Sequence, residues 1–209
     1  MKIKRMPLLL AGIVLTGMIG AWICNSNKMS VEAKVKNNLT KIFEADRNVI
    51  VSSNPYSYTN NEYYKDIVDM GMDAVEVLLK DECVDKTSLD GYVAAIAVSE
   101  ITGVDIQSIS GKDWETAEEF WNEWDKVLEE MPDKFEKILN EEDAEEKLEK
   151  YGVFSDALIR DVLEDKDGKV EFANEEINYD GNVKSELSEK SAFSADELDK
   201  AEEIVKQYN

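Results

Sequence analysis

Apolar residues follow two patterns in this chain, one unbroken and one stepped. Residues 6–24 form an unbroken run in which Thr16 is the only polar side chain. After this run, apolar residues recur every three or four positions, which is the spacing of one face of an α-helix. The unbroken run predicts a membrane-length helix or an export signal, and the stepped pattern predicts an all-α domain in the rest of the chain.

The unbroken run is long enough to cross a bilayer. Its 19 residues extend for roughly 28 Å as a helix, and a short basic segment precedes it. Three interpretations stay open: a retained anchor, a signal peptide cleaved after Ala33, or lipid attachment at Cys24. Each of them places the rest of the chain outside the cytoplasm.

These interpretations divide the chain into two parts. Residues 1–33 form a signal peptide or membrane anchor with its linker, and residues 34–209 form an acidic α-helical domain. Whether this domain divides again near residue 140 stays open at the level of sequence.

Charge and residue types exclude several classes of function. Residues 1–33 hold four of the 24 basic and one of the 46 acidic residues, so the remainder carries 20 against 45, a net charge of −25. Such a domain repels nucleic acid. The chain has no histidine, and Cys24 and Cys83 are its only cysteines. Serine–histidine and cysteine–histidine catalysis and histidine-based zinc hydrolysis are therefore excluded, and one thiol without histidine does not make a zinc site. Catalysis by carboxylates stays open as the weakest alternative, and we predict no enzyme activity and no cofactor.

The stepped pattern and its turn residues predict the order of the helices. A first helix covers about 35–50, and a tyrosine-rich loop at 51–61 follows it. The later predicted helices are 60–80 with Gly71 in its middle, one from Ser88 or Asp90 to Gly103, 113–131 before Pro132, and 194–207 with a Ser194–Glu197 capping box. The helix that ends at Gly103 is apolar on nearly all sides, which predicts burial between other helices.

Aromatic residues supply the candidate contacts to a partner. The tyrosines near residue 60 are suited either to stacking on a ligand or to covering a small core. Three tryptophans share the 113–131 helix, where they predict a buried docking face, with sugar or peptide stacking as the alternative. The candidate partner surface consists of Tyr56, Tyr58, Tyr63 and Trp114.

The segments DMGMDAVEVLLKDE and SLDGYVAAIAVSEITG resemble a HEAT-type helical repeat. The outer-helix pattern of that family is matched by Met70, Gly71, Ala74, Val75 and Leu78, whereas Glu76 stands where the family often has proline. A second copy is predicted at 146–168, where Tyr151-Gly152 matches Met70-Gly71. The resemblance implies a helical scaffold whose faces bind partners, without catalytic residues.

Two Asp-Gly segments near the carboxyl end resemble calcium loops but do not complete the pattern. Calcium loops place Asp or Asn at spaced positions and close with a Glu, and both segments lack that Glu. The weak metal candidates are Asp165, Asp167, Asn178 and Asp180. We predict instead Asp-Gly turns, as loops or a small hairpin within 165–185.

The sequence thus predicts an extracytoplasmic helical binding module, anchored in the membrane or secreted, without catalytic activity. Its partner is a protein or another component of the cell envelope, and membrane contact runs through residues 6–24 if they are retained. The alternative is a cell-envelope protein that binds divalent cations or carbohydrate through acidic and aromatic surface residues. The sequence does not identify the partner or the oligomeric state.

Overall fold

Among the residues that the structure describes, helices are joined by turns, and a β-hairpin lies near the carboxyl end. A computed structural model describes residues 29–44, 54–165, 169–172, 175–178 and 182–208. The predicted membrane segment at 6–24 lies outside these residues. Within the described ranges, none of the helices has both the length and the apolar content to span a bilayer.

The helices agree with the predicted all-α class. A 3-10 turn at Pro55–Tyr58 precedes the second helix, and strands β1 (Lys169–Phe172) and β2 (Glu175–Asn178) follow the eighth. The helices are α1 (Val31–Glu44), α2 (Glu62–Val68), α3 (Met72–Leu78), α4 (Leu89–Thr102), α5 (Ile106–Ser110), α6 (Ala117–Ile138), α7 (Ala144–Glu149), α8 (Val153–Asp165), α9 (Val183–Lys190) and α10 (Ala195–Tyr208).

Side-chain caps fix several helix ends where the sequence predicts them. Ser88 accepts a hydrogen bond from the Gly91 amide at the start of α4, and Gly103 ends this helix in the left-handed conformation with φ of 70°. At α10, the Ser194 amide donates to the Glu197 carboxylate at 2.8 Å. The predicted ends at Ser88, Gly103 and Ser194 are therefore confirmed. They could be predicted from the sequence because capping depends on residues within one turn of each other.

The predicted single helix at 60–80 is wrong. The chain forms α2 and α3, separated by a turn in which Gly71 adopts φ of 56°. A positive φ stops the α-helical hydrogen-bond ladder, and glycine adopts it without the steric cost that a side chain brings.

The predicted helix end at Pro132 is also wrong. Helix α6 continues through Pro132 to Ile138. Proline removes one backbone donor, but the buried stripe of α6 resumes beyond it with Phe135 and Ile138. Burial of this stripe on both sides of Pro132 outweighs the lost hydrogen bond.

Helix α6 supplies much of the core. It packs against α4, α5, α8 and α10. Trp121 and Trp124 are buried, and the indole of Trp121 donates to the Gly91 carbonyl of α4 at 3.1 Å. The predicted docking face is therefore confirmed for these two tryptophans.

One hydrophobic cluster includes buried residues from both sides of residue 140. Helix α8, which follows this point, packs against both α6 and α10. Strands β1 and β2 pair antiparallel, with Val170 opposite Ile177. The predicted hairpin is therefore present, but the two Asp-Gly pairs flank it in sequence and do not form its turn.

Candidate partner-binding surface

One side of α4 is open to solvent although most of the helix is buried. Leu89 is 37% exposed, and Tyr92 and Ile96 are half-buried. Their spacing of three and four residues aligns them along one side of α4, and we call them the α4 stripe. The prediction that α4 is enclosed on nearly all sides is wrong for this stripe. The fully buried apolar side chains are Val93, Ala94, Ala95, Ala97 and Val98.

Two of the predicted surface aromatics adjoin the centre of the α4 stripe. The ring centroids of Tyr92 and Trp114 are 4.7 Å apart, and the half-buried Trp114 also contacts Phe120 at 4.9 Å. Tyr56 is 57% exposed. The 3-10 turn at Pro55–Tyr58, which carries Tyr56, packs against α4. Burial raises the pKa of Tyr92, and the charge of ionised Tyr56 raises it further.

The other two predicted aromatics do not share this surface. Tyr58 is 1% exposed and its ring packs on Phe43 at 5.0 Å, so its assignment to the partner surface is wrong. It covers the core instead. Tyr63 is half-buried, with the Lys41 ammonium 5.1 Å from its ring centroid.

A groove between α1 and the turn before α4 continues from the α4 stripe. Its volume is about 480 Å³, and Leu89 belongs to both surfaces. We call it the α1 groove. Its lining residues are Lys36, Leu39, Thr40, Phe43, Glu82, Cys83, Leu89 and Asp90.

The α1 groove has an apolar floor and an acidic edge. Leu39, Phe43 and Leu89 supply the apolar side chains. The one lysine of the lining, Lys36, is 2.8 Å from Glu32, which raises the Lys36 pKa and offsets its charge. Among the residues described, Glu82 and Asp90 form no ion pair.

A second hollow extends this acidic edge. It is lined by residues 81–86, has a volume of about 410 Å³, and shares Glu82 and Cys83 with the α1 groove. Lys86 lies 2.7 Å from Asp81 and 5.2 Å from the ring centroid of Trp121. The lysine is therefore held by contacts within the chain, and Glu82 stays available at the junction of the two hollows.

The metal candidates gain no support in the part of the chain that the structure covers. Within it, no group of three Cys, Asp or Glu side chains lies close enough to hold a cation. Asp167 and Asp180 lie outside the described residues, and Asp165 and Asn178 stand at the ends of α8 and β2.

Sequence reasoning missed the central residues of this surface. Apolar residues lie on all sides of α4, so their periodicity does not indicate which side of the helix is exposed to solvent. The available signal is residue size, because Leu89, Tyr92 and Ile96 are large side chains in a helix rich in alanine and valine. Partly exposed apolar side chains beside acidic groups are suited to noncovalent contact through apolar surface and charge.

Comparisons of this chain with protein-family models, with curated proteins and with solved structures found no match.

Proposed function

We propose that this chain is a non-catalytic helical binding module outside the cytoplasm, and that the α4 stripe binds a protein of the cell envelope. The observation that carries the proposal is a row of large apolar side chains on one side of α4, in which Leu89 is 37% exposed and Tyr92 and Ile96 are half-buried. Contiguous apolar surface of this kind is typical of protein-binding sites.

The partner segment is apolar and basic. The α4 stripe offers aliphatic and aromatic contacts. Trp114, which packs on Tyr92, is followed by Glu115, and the charges of Glu115 and Glu119 raise the pKa of Tyr92 after the larger effects of burial and Tyr56. Acidic groups beside an apolar row favour a segment that combines apolar and basic side chains. A sugar would instead need several exposed ring faces, and Tyr56 is the one strongly exposed aromatic among the described residues.

A HEAT-like scaffold agrees with two features of the backbone. Helices α3 and α4, which carry the resemblance, pack against each other. Gly71 and Gly152 both adopt positive φ, at 56° and 51°, directly before α3 and α8. The proposed second copy at α8 therefore shares the backbone feature of the first, and α8 packs on α10.

The start of α1 favours a retained membrane anchor. Ser30 caps this helix by accepting from the Ala33 amide at 3.1 Å, and Glu32 pairs with Lys36. Cleavage after Ala33 would remove the cap and Glu32 from the first turn of α1. We therefore propose that residues 6–24 stay attached and anchor the domain.

Site-specific photo-cross-linking in the native cells tests this function. A photoreactive amino acid replaces Tyr56 beside the α4 stripe, and in a matched control it replaces Glu145, an exposed residue of α7. We expect a discrete protein adduct from position 56 and none from position 145. No adduct from position 56, a carbohydrate adduct, or equal adducts from both positions would contradict the proposal.

A further inference from the structure

The α4 stripe leads to a carboxylate near the carboxyl end of its helix. Glu100 follows Ile96 by four residues, so it lies on the same side of α4 as the stripe and continues the row. Glu100 is exposed, and it belongs to no ion pair in the part of the chain that the structure describes. An apolar row thus ends in a negative charge that no ion pair of these residues offsets.

A buried tyrosine of α2 fixes the position of the Glu100 carboxylate. The Tyr64 hydroxyl donates to Oε2 of Glu100 at 2.6 Å, and Tyr64 is 3% exposed. Burial raises the pKa of Tyr64, and the hydrogen bond to Glu100 raises it further, so the phenol keeps its proton at neutral pH. A carboxylate accepts several hydrogen bonds, so Glu100 can still accept from a partner. Because the acceptor is already held in place, binding costs less side-chain entropy.

A hollow between α2 and α4 gives access to this carboxylate. Its volume is about 330 Å³, and its charged lining residues are Lys65, Asp69 and Glu100. Lys65 is exposed, and within the described ranges it forms no ion pair with either carboxylate. Two carboxylates against one ammonium leave the hollow with a net negative charge, which favours a cationic group from a partner.

The acidic residues beside Tyr92 are less suited to this role. The carboxylate of Glu119 accepts from the backbone amides of Glu115 and Thr116 at 2.8 and 3.1 Å, at the start of α6. Glu115 is exposed, and among the described residues no hydrogen bond holds its side chain in one position. Glu100 therefore combines a fixed position with free acceptor capacity, and it lies in line with the apolar row.

We propose that the partner segment places a lysine or arginine in the hollow at Glu100 while its apolar side chains cover the α4 stripe. This inference rests on the proposed function of the stripe. The rise along α4 from Ile96 to Glu100 is about 6 Å, which also separates residues four apart in a helix or two apart in a strand. The segment therefore carries its basic residue at one of these spacings from an apolar residue, and it binds with the basic end towards the carboxyl end of α4.

Removal of the Glu100 charge tests the pairing in the native cells, with the photo-cross-link from position 56 as the measurement. Glu100→Gln keeps an oxygen that can accept from Tyr64, and it is expected to lower the adduct yield about fivefold. The matched control is Glu115→Gln, the same change at an exposed acid before α6, which is expected to change the yield by less than about twofold. With thermal midpoints unchanged, a yield that Glu100→Gln does not alter, or equal losses in both variants, would overturn the inference.

Two further variants change the yield in opposite directions. Tyr64→Phe leaves the Glu100 charge in place but removes the bond that positions it, and it is expected to lower the yield about twofold. Lys65→Gln removes the cation of the hollow and is expected to raise the yield about twofold. General damage to the fold would lower the yield in both. A lower yield in Lys65→Gln, or a yield that Tyr64→Phe does not change, would overturn the assigned site.

A charge exchange identifies the basic residue of the partner. Mass spectrometry of the adduct gives the cross-linked segment, and Glu100→Lys is expected to lower the adduct yield more than about tenfold. Replacement of one lysine or arginine of that segment by glutamate should restore the yield when combined with Glu100→Lys. If no such replacement restores it, the proposed pairing is wrong.

The outcomes separate this inference from the proposed function. An adduct from position 56 whose yield does not depend on Glu100 overturns the inference and leaves the α4 stripe as a partner site. Absence of any adduct when Glu100 is present overturns both.

Discussion

The guanidinium of Arg160 donates from Nη2 to Asp199 at 2.7 Å, although the Arg160 side chain has no solvent exposure. The same nitrogen donates to Glu202 at 3.1 Å, and Nη1 donates to the Ala195 carbonyl at 3.4 Å. These bonds join α8 to α10. Burial raises the pKa of Glu202, but hydrogen bonds from Lys206 and Arg160 outweigh it and lower the pKa overall.

Removal of the Arg160 guanidinium tests whether this contact holds α8 and α10 together. Arg160→Ala is expected to reduce the free energy of unfolding by about 3 kcal/mol, because it deletes the bonds to α10 and leaves a cavity. Arg160→Met fills more of the volume and should lose less. Urea denaturation measures the free energy of unfolding of both variants.

The control is Lys147→Ala, which removes surface ion pairs to Glu141 and Asp143 and is expected to change stability by less than about 1 kcal/mol. Equal losses in Arg160→Ala and Lys147→Ala would contradict the structural role of Arg160.

Asp156 is a half-buried carboxylate whose charge disfavours the folded state. Burial raises its pKa, and the hydrogen bond from Ser191 only partly offsets this effect. A raised folded-state pKa stabilises the fold below the unfolded-state pKa, and this contribution is lost as the pH rises through the folded-state pKa. Asp156→Asn should therefore raise the thermal midpoint at pH 7 and give little gain at pH 3. A variant that is less stable than the parent at pH 7 would contradict this assignment.

Gly152 and Gly111 illustrate two different reasons why a position in the chain requires glycine. Both have positive φ, at 51° and 68°, but a Cβ on Gly152 would lie 2.0 Å from the Thr102 carbonyl oxygen, whereas one on Gly111 meets nothing within 4 Å. Gly111→Ala should cost about 1 kcal/mol for its backbone conformation alone. Gly152→Ala must also separate the α4 end from the start of α8, and should cost several kcal/mol more, about 4 in total. Equal losses in urea denaturation would show that the close contact at Gly152 is absent.

Local chemistry determined which helix ends the sequence could predict. Ser88, Gly103 and the Ser194–Glu197 box act within one turn, so their roles follow from neighbouring residues. The break at Gly71 and the continuation through Pro132 depend on packing against elements distant in sequence. Residue spacing alone therefore gave the wrong helix boundaries at both places.

Contacts between elements distant in sequence determine the burial or exposure of the residues whose environment the sequence did not predict. Arg160 follows an apolar run in a pattern typical of a solvent-facing residue, and its burial depends on carboxylates 39 and 42 residues further along the chain. Tyr58 and Tyr56 are two residues apart, yet one packs on Phe43 and the other is exposed. The exposed side of α4 is the side against which no other described element packs closely, and this side depends on the tertiary arrangement of the other helices.

The effect of Leu89 on the cross-link from position 56 tests the central claim most directly. Leu89→Asp places a charge on the α4 stripe at the first turn of a helix, where an acidic residue is compatible with folding. The matched control is Met29→Asp, a second exposed apolar residue, which lies outside the α4 stripe. With thermal midpoints unchanged, we predict that Leu89→Asp lowers the adduct yield about tenfold, as expected from loss of one buried leucine contact, and that Met29→Asp leaves it unchanged. An adduct that survives Leu89→Asp, or is lost equally in both variants, would contradict the α4 stripe as the partner site.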